Sequence, residues 1–365
     1  MKVRFRDLSI QDVQLRAKLS LTFERLMGHG MFILGQEVER FEQLIASYFG
    51  FEYAVGVGNG TDSLFLSLVD KGIGAGDEVL VPALSWVATA NAVAATGAKP
   101  VFIDVLEHDV LLDITSAEVK VSDRTKALIP VHFLGRLCDI DQLEEFGKKH
   151  GLAIIEDASQ AFGAKFNGSV SHSLSQCVCL SLNPMKVFGG LGEAGVILCR
   201  DSEQAERFKQ IRNNGINPET RQCETLSTNH KIDALQAALM VDLLEGVDQR
   251  LEMRRAMVSS YQRQLEDVVD FLSVRDEYED SPYCVTILVN ERGELMEYLN
   301  ELGVESQVVH SPILPDHPIY KGSCNEVFPN ANRYIQQALS LPLHDNLTEN
   351  EIEFVCESIR AFLRR

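Results

Sequence analysis

Three places in this chain combine residue types that could do chemistry. The stretch SLNPMKVFGGLGEAGVILCR, Ser181 to Arg200, sets Lys186 just after Pro184 and ahead of Gly189, Gly190 and Gly192. It joins two apolar runs, CVCLSL and GVILCR, that have the look of core strands. A solvated lysine on a glycine-rich turn is the plain alternative. An amine that must meet a ligand needs more, and the glycines are expected to adopt backbone conformations closed to other residues and to let that ligand approach. In IIEDASQAFGA, Ile154 to Ala164, a buried-looking strand ends in Asp157, with Gln160 three residues later. A carboxylate at that point can hold a heteroaromatic nitrogen protonated. It could equally cap a helix starting at Ala158. In GNGTDSLFLSL, Gly58 to Leu68, the residues Gly60, Thr61 and Asp62 stand between a strand and a helix. Free backbone N–H groups and a positive dipole end there suit a phosphate, although Thr61 or Asp62 could serve simply as the N-cap. The loop matches neither the P-loop nor the spaced-glycine dinucleotide fingerprint.

Taken in order, a phosphate cradle, an acid after a later strand and a lysine on a glycine-rich turn meet the needs of pyridoxal 5'-phosphate. That cofactor has a phosphate, a pyridine nitrogen and an aldehyde. Lysine is the side chain that condenses with the aldehyde, and aspartate is the usual partner of the ring nitrogen.

The elements that must position these residues alternate from residue 52 onward, strand-like runs such as EVLVPAL, KALIPVHFLG and LAIIEDAS separated by helical patterns. Near-continuous apolar strands in such an order indicate an α/β fold with a mostly parallel sheet sandwiched by helices, and ligands at the strands' carboxyl ends. The long pattern NHKIDALQAALMVDLLEGVDQRLEMRRAM leads into short strands (FLSV, YCVTILV, SQVVH) and two further helices, so a large domain over 1–250 and a smaller α+β domain over 251–365 are expected. His132, inside an apolar run, is expected to be a satisfied core histidine, and Leu235, Leu239 and Leu243 to form a packing face. The balance of 34 basic against 53 acidic residues, a net charge of -19, opposes attraction to nucleic acid or anionic membranes. The start MKVRFRDLSIQDVQ lacks a signal-peptide core and no apolar stretch would span a bilayer, which points to the cytoplasm. Eight scattered cysteines, without a CxxC zinc pattern, suggest neither disulfides nor a metal site.

Over almost its whole length the chain resembles the DegT/DnrJ/StrS family of pyridoxal-phosphate sugar aminotransferases, which has the aspartate-aminotransferase fold (fold type I). The segments that carry the resemblance are FILGQEVERFE, GNGTDSLFLSL, GDEVLVPALSWVATANAVAATGAKPVFIDV, IPVHFLGRLCDID, IIEDASQAFGA, SLNPMKVFGGLGEAG, NHKIDALQAAL and SLPLH. It implies a seven-stranded sheet, with Lys186 on the aldehyde, Asp157 under the pyridine nitrogen and Gln160 on the cofactor hydroxyl. It also implies Gly60, Thr61 and Ser181 on the phosphate, Trp86 on the pyridine face, and Asn229 reaching the cofactor of a neighbouring subunit, hence a homodimer with shared sites. The implied activity is transfer of an amino group from an amino acid, L-glutamate by resemblance, to a nucleotide-linked keto-deoxysugar, for surface glycan or antibiotic-sugar synthesis. Dehydratases of the same family commonly replace the lysine by histidine, and a non-enzymatic sensor would be expected to lose Lys186 or Asp157. Where the family's substrate motif often reads His-Tyr-Pro, this chain has His310, Ser311 and Pro312, and His310 and Ser311 are the substrate-binding candidates.

Overall fold

The structure is a computed structural model that describes residues 2–170, 177–322 and 326–365. Two helices, α1 (Val13–His29) and α2 (Gln36–Phe49), precede the alternation. There follow β1 (Tyr53–Val57), α3 (Gly60–Asp70), β2 (Glu78–Pro82), α4 (Val87–Ala95), β3 (Lys99–Ile103), α5 (Ile114–Glu118), β4 (Thr125–Leu128) and α6 (Ile140–His150). Next come β5 (Ala153–Ile154), β6 (Glu156–Asp157), β7 (Lys165–Phe166), β8 (Cys177–Ser181), β9 (Gly195–Cys199) and α7 (Ser202–Arg212). Every residue of β2 and of β9 is buried, as in strands covered by helices on both faces.

Hydrogen bonding sorts all of these strands but β7 into two four-stranded ladders, β3-β2-β4-β5 and β6-β8-β9-β1. Only β9 runs antiparallel to its neighbours. The ladders meet where the fully buried Ile155 carries β5 straight into β6. The Ile155 N–H bonds to the Leu128 carbonyl at 3.1 Å and the Asp157 N–H to the Pro130 carbonyl at 2.9 Å. With that strand shared, the order is β3-β2-β4-β5/β6-β8-β9-β1, a mostly parallel seven-stranded sheet whose ladder is interrupted at one residue.

Beyond α7 the expected long helix is two helices, α8 (Ala234–Leu244) and α9 (Val247–Leu265), parted at Gly246, a residue that disfavours helix interiors. Leu239 and Leu243 are buried in a core shared with α1 and α2, and Leu235 packs against it. The C-terminal part adds β10 (Asp270–Phe271), β11 (Tyr278–Glu279), β12 (Val285–Leu288), α10 (Arg292–Glu301), α11 (Pro329–Gln337), β13 (Ala338–Leu341) and α12 (Glu349–Leu363). Its sheet is β10-β12-β13, antiparallel, while β11 pairs with β7. The expected strand SQVVH does not form. Gln307 exchanges both backbone bonds with Ser340, and the chain then turns away at His310, whose φ is 61°, so Ala338–Leu341 supplies the third strand instead. Val3 of the N-terminal segment joins this second core beside Tyr261, Ile287, Leu299 and Leu341. The helix α9 runs across residue 250 without a break. Among the described residues no helix is long and apolar enough to cross a membrane.

Candidate active site

A cavity of about 990 Å³ lies where β1, β2, β6 and β8 end. Its floor begins at the turn from β1 into α3. Asn59 is the N-cap there, its side chain accepting the Asp62 N–H at 2.9 Å, so neither Thr61 nor Asp62 has that duty. The N–H groups of Gly60 and Thr61 find no acceptor among the described residues. Gly60 is pressed against the end of β8, where a Cβ added to it would stand 2.4 Å from Ser181 Cβ and 2.8 Å from Ser181 Cα. The absence of a side chain therefore brings the open helix start and the Ser181 hydroxyl together. Asp62 lines the same cavity, but its carboxylate is taken by His230 Nδ1 at 2.9 Å and Asn59 Nδ2 at 3.1 Å.

Asp157 is the last residue of β6 and no helix starts at Ala158, which removes the capping alternative. Its Oδ1 accepts the Ser159 N–H at 3.1 Å, and its Oδ2 accepts the Thr89 hydroxyl at 3.2 Å. Thr89 is in turn 2.9 Å from the Ser85 hydroxyl. With the Thr89 proton given to Asp157, Ser85 is the donor of that second bond, and the carboxylate is fixed from two sides with lone pairs to spare. Gln160 Oε1 accepts the Leu134 N–H at 2.8 Å, which leaves its amide nitrogen to donate to His310 Nε2 at 3.0 Å. His310 therefore carries its ring proton on Nδ1. Burial, and then the charge of Lys186, push its pKa down to about 3, in keeping with a neutral ring.

Lys186 lies on the connection from β8 to β9, and its Nζ has no hydrogen bond or ion pair among the described residues. It rests over the Tyr283 ring, 5.5 Å from the centroid. The side chain remains partly accessible at the cavity wall, yet burial lowers its pKa, Asp157 and Glu193 push it back up, and Arg6 adds to the fall. A lysine more easily deprotonated than usual is suited to attack a carbonyl carbon and to move a proton. The glycines after it do less with their backbones than expected. None of Gly189, Gly190 or Gly192 has a positive φ. They serve close approach instead, since a Cβ on Gly189 would meet the Asn183 carbonyl oxygen at 2.6 Å and one on Gly192 the Gln236 amide at 2.7 Å.

Trp86 precedes α4 and lines the cavity with 57% of its surface exposed, so it is no core packing residue. Ser311 lines the same cavity beside His310, whose ring centroid stands 5.6 Å from that of Trp86. Asn229 does not line this cavity and is exposed. His132 is fully buried outside it, its Nδ1 accepting the Cys138 N–H at 3.1 Å and its Nε2 standing 3.0 Å from Glu156. Four participants were missed in the sequence. Ser159 stands two residues after Asp157, the spacing of an Asx turn, and Ser85 and Thr89 are four apart, as on one helical face. Those spacings could have pointed to them. Arg6 meets Tyr283 across 277 residues, and no local pattern signals that.

The model of the DegT/DnrJ/EryC1/StrS aminotransferase family matches residues 14–360. The chain belongs to that family. A curated relative named pleiotropic regulatory protein, from Geobacillus stearothermophilus, is 35% identical over 370 residues, covering 100% of this chain and 99% of that protein. Another, the dTDP-3-amino-3,4,6-trideoxy-alpha-D-glucose transaminase of Streptomyces venezuelae, is 34% identical over 370 residues, covering 100% of this chain and 97% of that protein. The crystal structure of DesV from S. venezuelae superposes with a TM-score of 0.96 at 33% identity, covering 100% of this chain and 99% of that one. DegT/DnrJ/EryC1/StrS aminotransferases use pyridoxal phosphate. The donor set here fits it. Open N–H groups at Gly60 and Thr61 and the Ser181 hydroxyl suit a phosphate, Asp157 a pyridine N–H, and the unpaired Lys186 an aldehyde.

Proposed function

We propose that this protein moves an amino group from an amino acid, L-glutamate in the first instance, to the keto carbon of a nucleotide-linked deoxysugar. The observation that carries the reading is the convergence, in one cavity, of an unpaired Lys186 Nζ, a doubly held Asp157 carboxylate and an open helix start packed on Ser181. Pyridoxal phosphate, when bound, supplies an aldehyde that condenses with amines and a ring that takes up the electron pair left by a departing α-proton. Lys186 Nζ would hold that aldehyde and would be the base that moves the α-proton. Asp157 would hold a proton on the ring nitrogen. Gln160, its orientation fixed by the Leu134 N–H, retains a second amide N–H for the cofactor hydroxyl. Trp86 offers its exposed face to the ring, and His310 and Ser311 meet the sugar. The sugar-nucleotide class rests on the S. venezuelae transaminase, whose name gives a dTDP-linked amino sugar.

A homodimer with shared sites belongs to this proposal. Asn229 is exposed and points into no part of its own cavity, and Met31, Phe32, Ile33 and Leu191 leave apolar surface for a second copy to cover. Lys186→Ala and Asn229→Asp subunits, each inactive alone, should recover activity when mixed and exchanged, because one site of the hybrid lacks both changes. A cytoplasmic location is part of the same reading.

The name of the Geobacillus relative, pleiotropic regulatory protein, favours one other function, a regulatory role. Turnover decides. The purified protein with pyridoxal phosphate should convert glutamate and aminate a member of a keto-sugar nucleotide panel, and borohydride should trap the cofactor on Lys186. Trapping on another lysine, or no turnover with any donor and acceptor, would refute the assignment.

A further inference from the structure

Among the described charged side chains that line the cavity, one cation has neither a carboxylate partner nor a part in the proposed chemistry. Asp62 is bound to His230 and Asn59, Glu193 accepts from Asn183 at 2.6 Å, Asp157 lies under the proposed ring nitrogen, and Lys186 is assigned to the aldehyde. Arg6 remains. Its guanidinium donates to the backbone carbonyls of Tyr283 at 2.6 Å and Leu343 at 3.1 Å, and among the described residues no carboxylate pairs with it. A guanidinium has five N–H donors in a planar fork, of which these carbonyls use two. Burial lowers its pKa, and Tyr283, Cys284 and the Asp345 carboxylate only partly restore it, as for a cation drawn out of water with no carboxylate bonded to it. Such a group at the wall of a substrate cavity calls for a planar anion.

Resting on the transaminase reading above, we infer that Arg6 receives the α-carboxylate of the amino donor. Position selects this anion. The Tyr283 ring takes both cations, Arg6 Cζ at 5.1 Å and Lys186 Nζ at 5.5 Å from its centroid, and both side chains line the one cavity. The charge of Arg6 is also felt at Lys186, whose pKa it lowers. In an α-amino acid the carboxylate is bonded to the very carbon that bears the migrating amine. In a nucleotide sugar the diphosphate is joined to the anomeric carbon, ring atoms away from the keto carbon. An arginine that shares the Tyr283 ring with Lys186 suits the first. Arg6 is thus a donor-specificity residue that fixes the α-carbon with its hydrogen toward Lys186 Nζ.

The test compares L-glutamate with the same compound bearing an α-carboxamide, in the donor half-reaction alone, followed by cofactor absorbance under single-turnover conditions. The wild-type protein should prefer the carboxylate by about 10- to 100-fold, the range of a charge-assisted pair. Arg6→Gln, which keeps amide donors for the two carbonyls, should reduce glutamate to the level of the carboxamide, leave the carboxamide near its wild-type rate, and leave the return half-reaction with keto-sugar nucleotide within about 3-fold. Arg6→Lys, with the charge but not the fork, should recover part of the preference. Full preference for the carboxylate in Arg6→Gln, or equal losses in both half-reactions, would overturn the inference. If Arg6→Gln does not fold, an undiminished preference in Arg6→Lys counts against it in the same way. A wild-type protein that converts no donor sinks the transaminase reading itself, whereas conversion with unchanged discrimination in the variants sinks only the role of Arg6.

Discussion

Gly60→Ala is a one-carbon change whose consequence can be worked from distances. The new Cβ would stand 2.4 Å from Ser181 Cβ and 2.8 Å from Ser181 Cα, where ordinary contact begins near 3.4 Å. The end of β8 is sheet backbone and cannot yield, so the first turn of α3 must retreat by about 1 Å. Trimming Ser181 to alanine would not help, because its Cβ and Cα are the obstacles. A retreat of that size stretches a phosphate bond of about 2.9 Å to about 3.9 Å, beyond hydrogen-bond range. Losing two such bonds to a charged group, at about 1.5 kcal/mol or more each, weakens the cofactor by about 100-fold. Pyridoxal, which lacks the phosphate, should bind the variant as it binds the parent. Equilibrium dialysis of both compounds, with a thermal melt to confirm folding, gives the answer. Binding of pyridoxal phosphate within about 3-fold of the parent, or equal losses for both compounds, would refute the cradle.

Other changes probe the opposite end of the cavity. Asp157→Asn should keep the cofactor bound while slowing both half-reactions by at least ~100-fold, about 2.7 kcal/mol, in rapid-mixing absorbance; near-normal rates at full occupancy would mean that another acid lies under the ring. Thr89→Val removes one of the two donors that aim this carboxylate and should cost about 10-fold in the same assay with little change in cofactor affinity. His310 has a folded pKa of about 3 against an ordinary 6.5, so the unfolded chain takes up the proton first. Stability present above pH 6.5 should therefore drain away as pH falls toward 3, and His310→Gln should flatten that loss in urea titrations of the cofactor-free protein. Identical pH slopes for parent and variant would place the lost stability elsewhere.

The strands and the three chemical loops were legible in the sequence because each is local. A buried parallel strand needs a short apolar run, and residues at its carboxyl end inherit their place from it. That is why Asp157 and Lys186 could be set at the ends of their strands before any contact was known, whereas Ser181 entered only through the family resemblance. Arg6 could not be placed in that way, since its position depends on a contact with Tyr283 that only the assembled C-terminal part creates. SQVVH has the composition of a strand, but the bonds between Gln307 and Ser340 end at once in the turn at His310, a tertiary outcome that propensity does not encode. The glycines of the lysine loop show the same limit. Their presence marked a constrained site, but whether they supplied unusual dihedrals or close approach was settled by what packs against them, Asn183 and Gln236.

Ile155 joins the two ladders: the N–H groups of Ile155 and Asp157 bond on one side to the Leu128 and Pro130 carbonyls, and Glu156 and Asp157 pair with β8 on the other. Neither half of the sheet can open there without releasing the other. The amide protons of Ile155 and Asp157 should accordingly exchange with deuterium only through global unfolding, among the slowest in the molecule, while those of the exposed segment around Leu226 exchange through local opening. The acid proposed to steady the chemistry thus sits at the point of the chain that moves last.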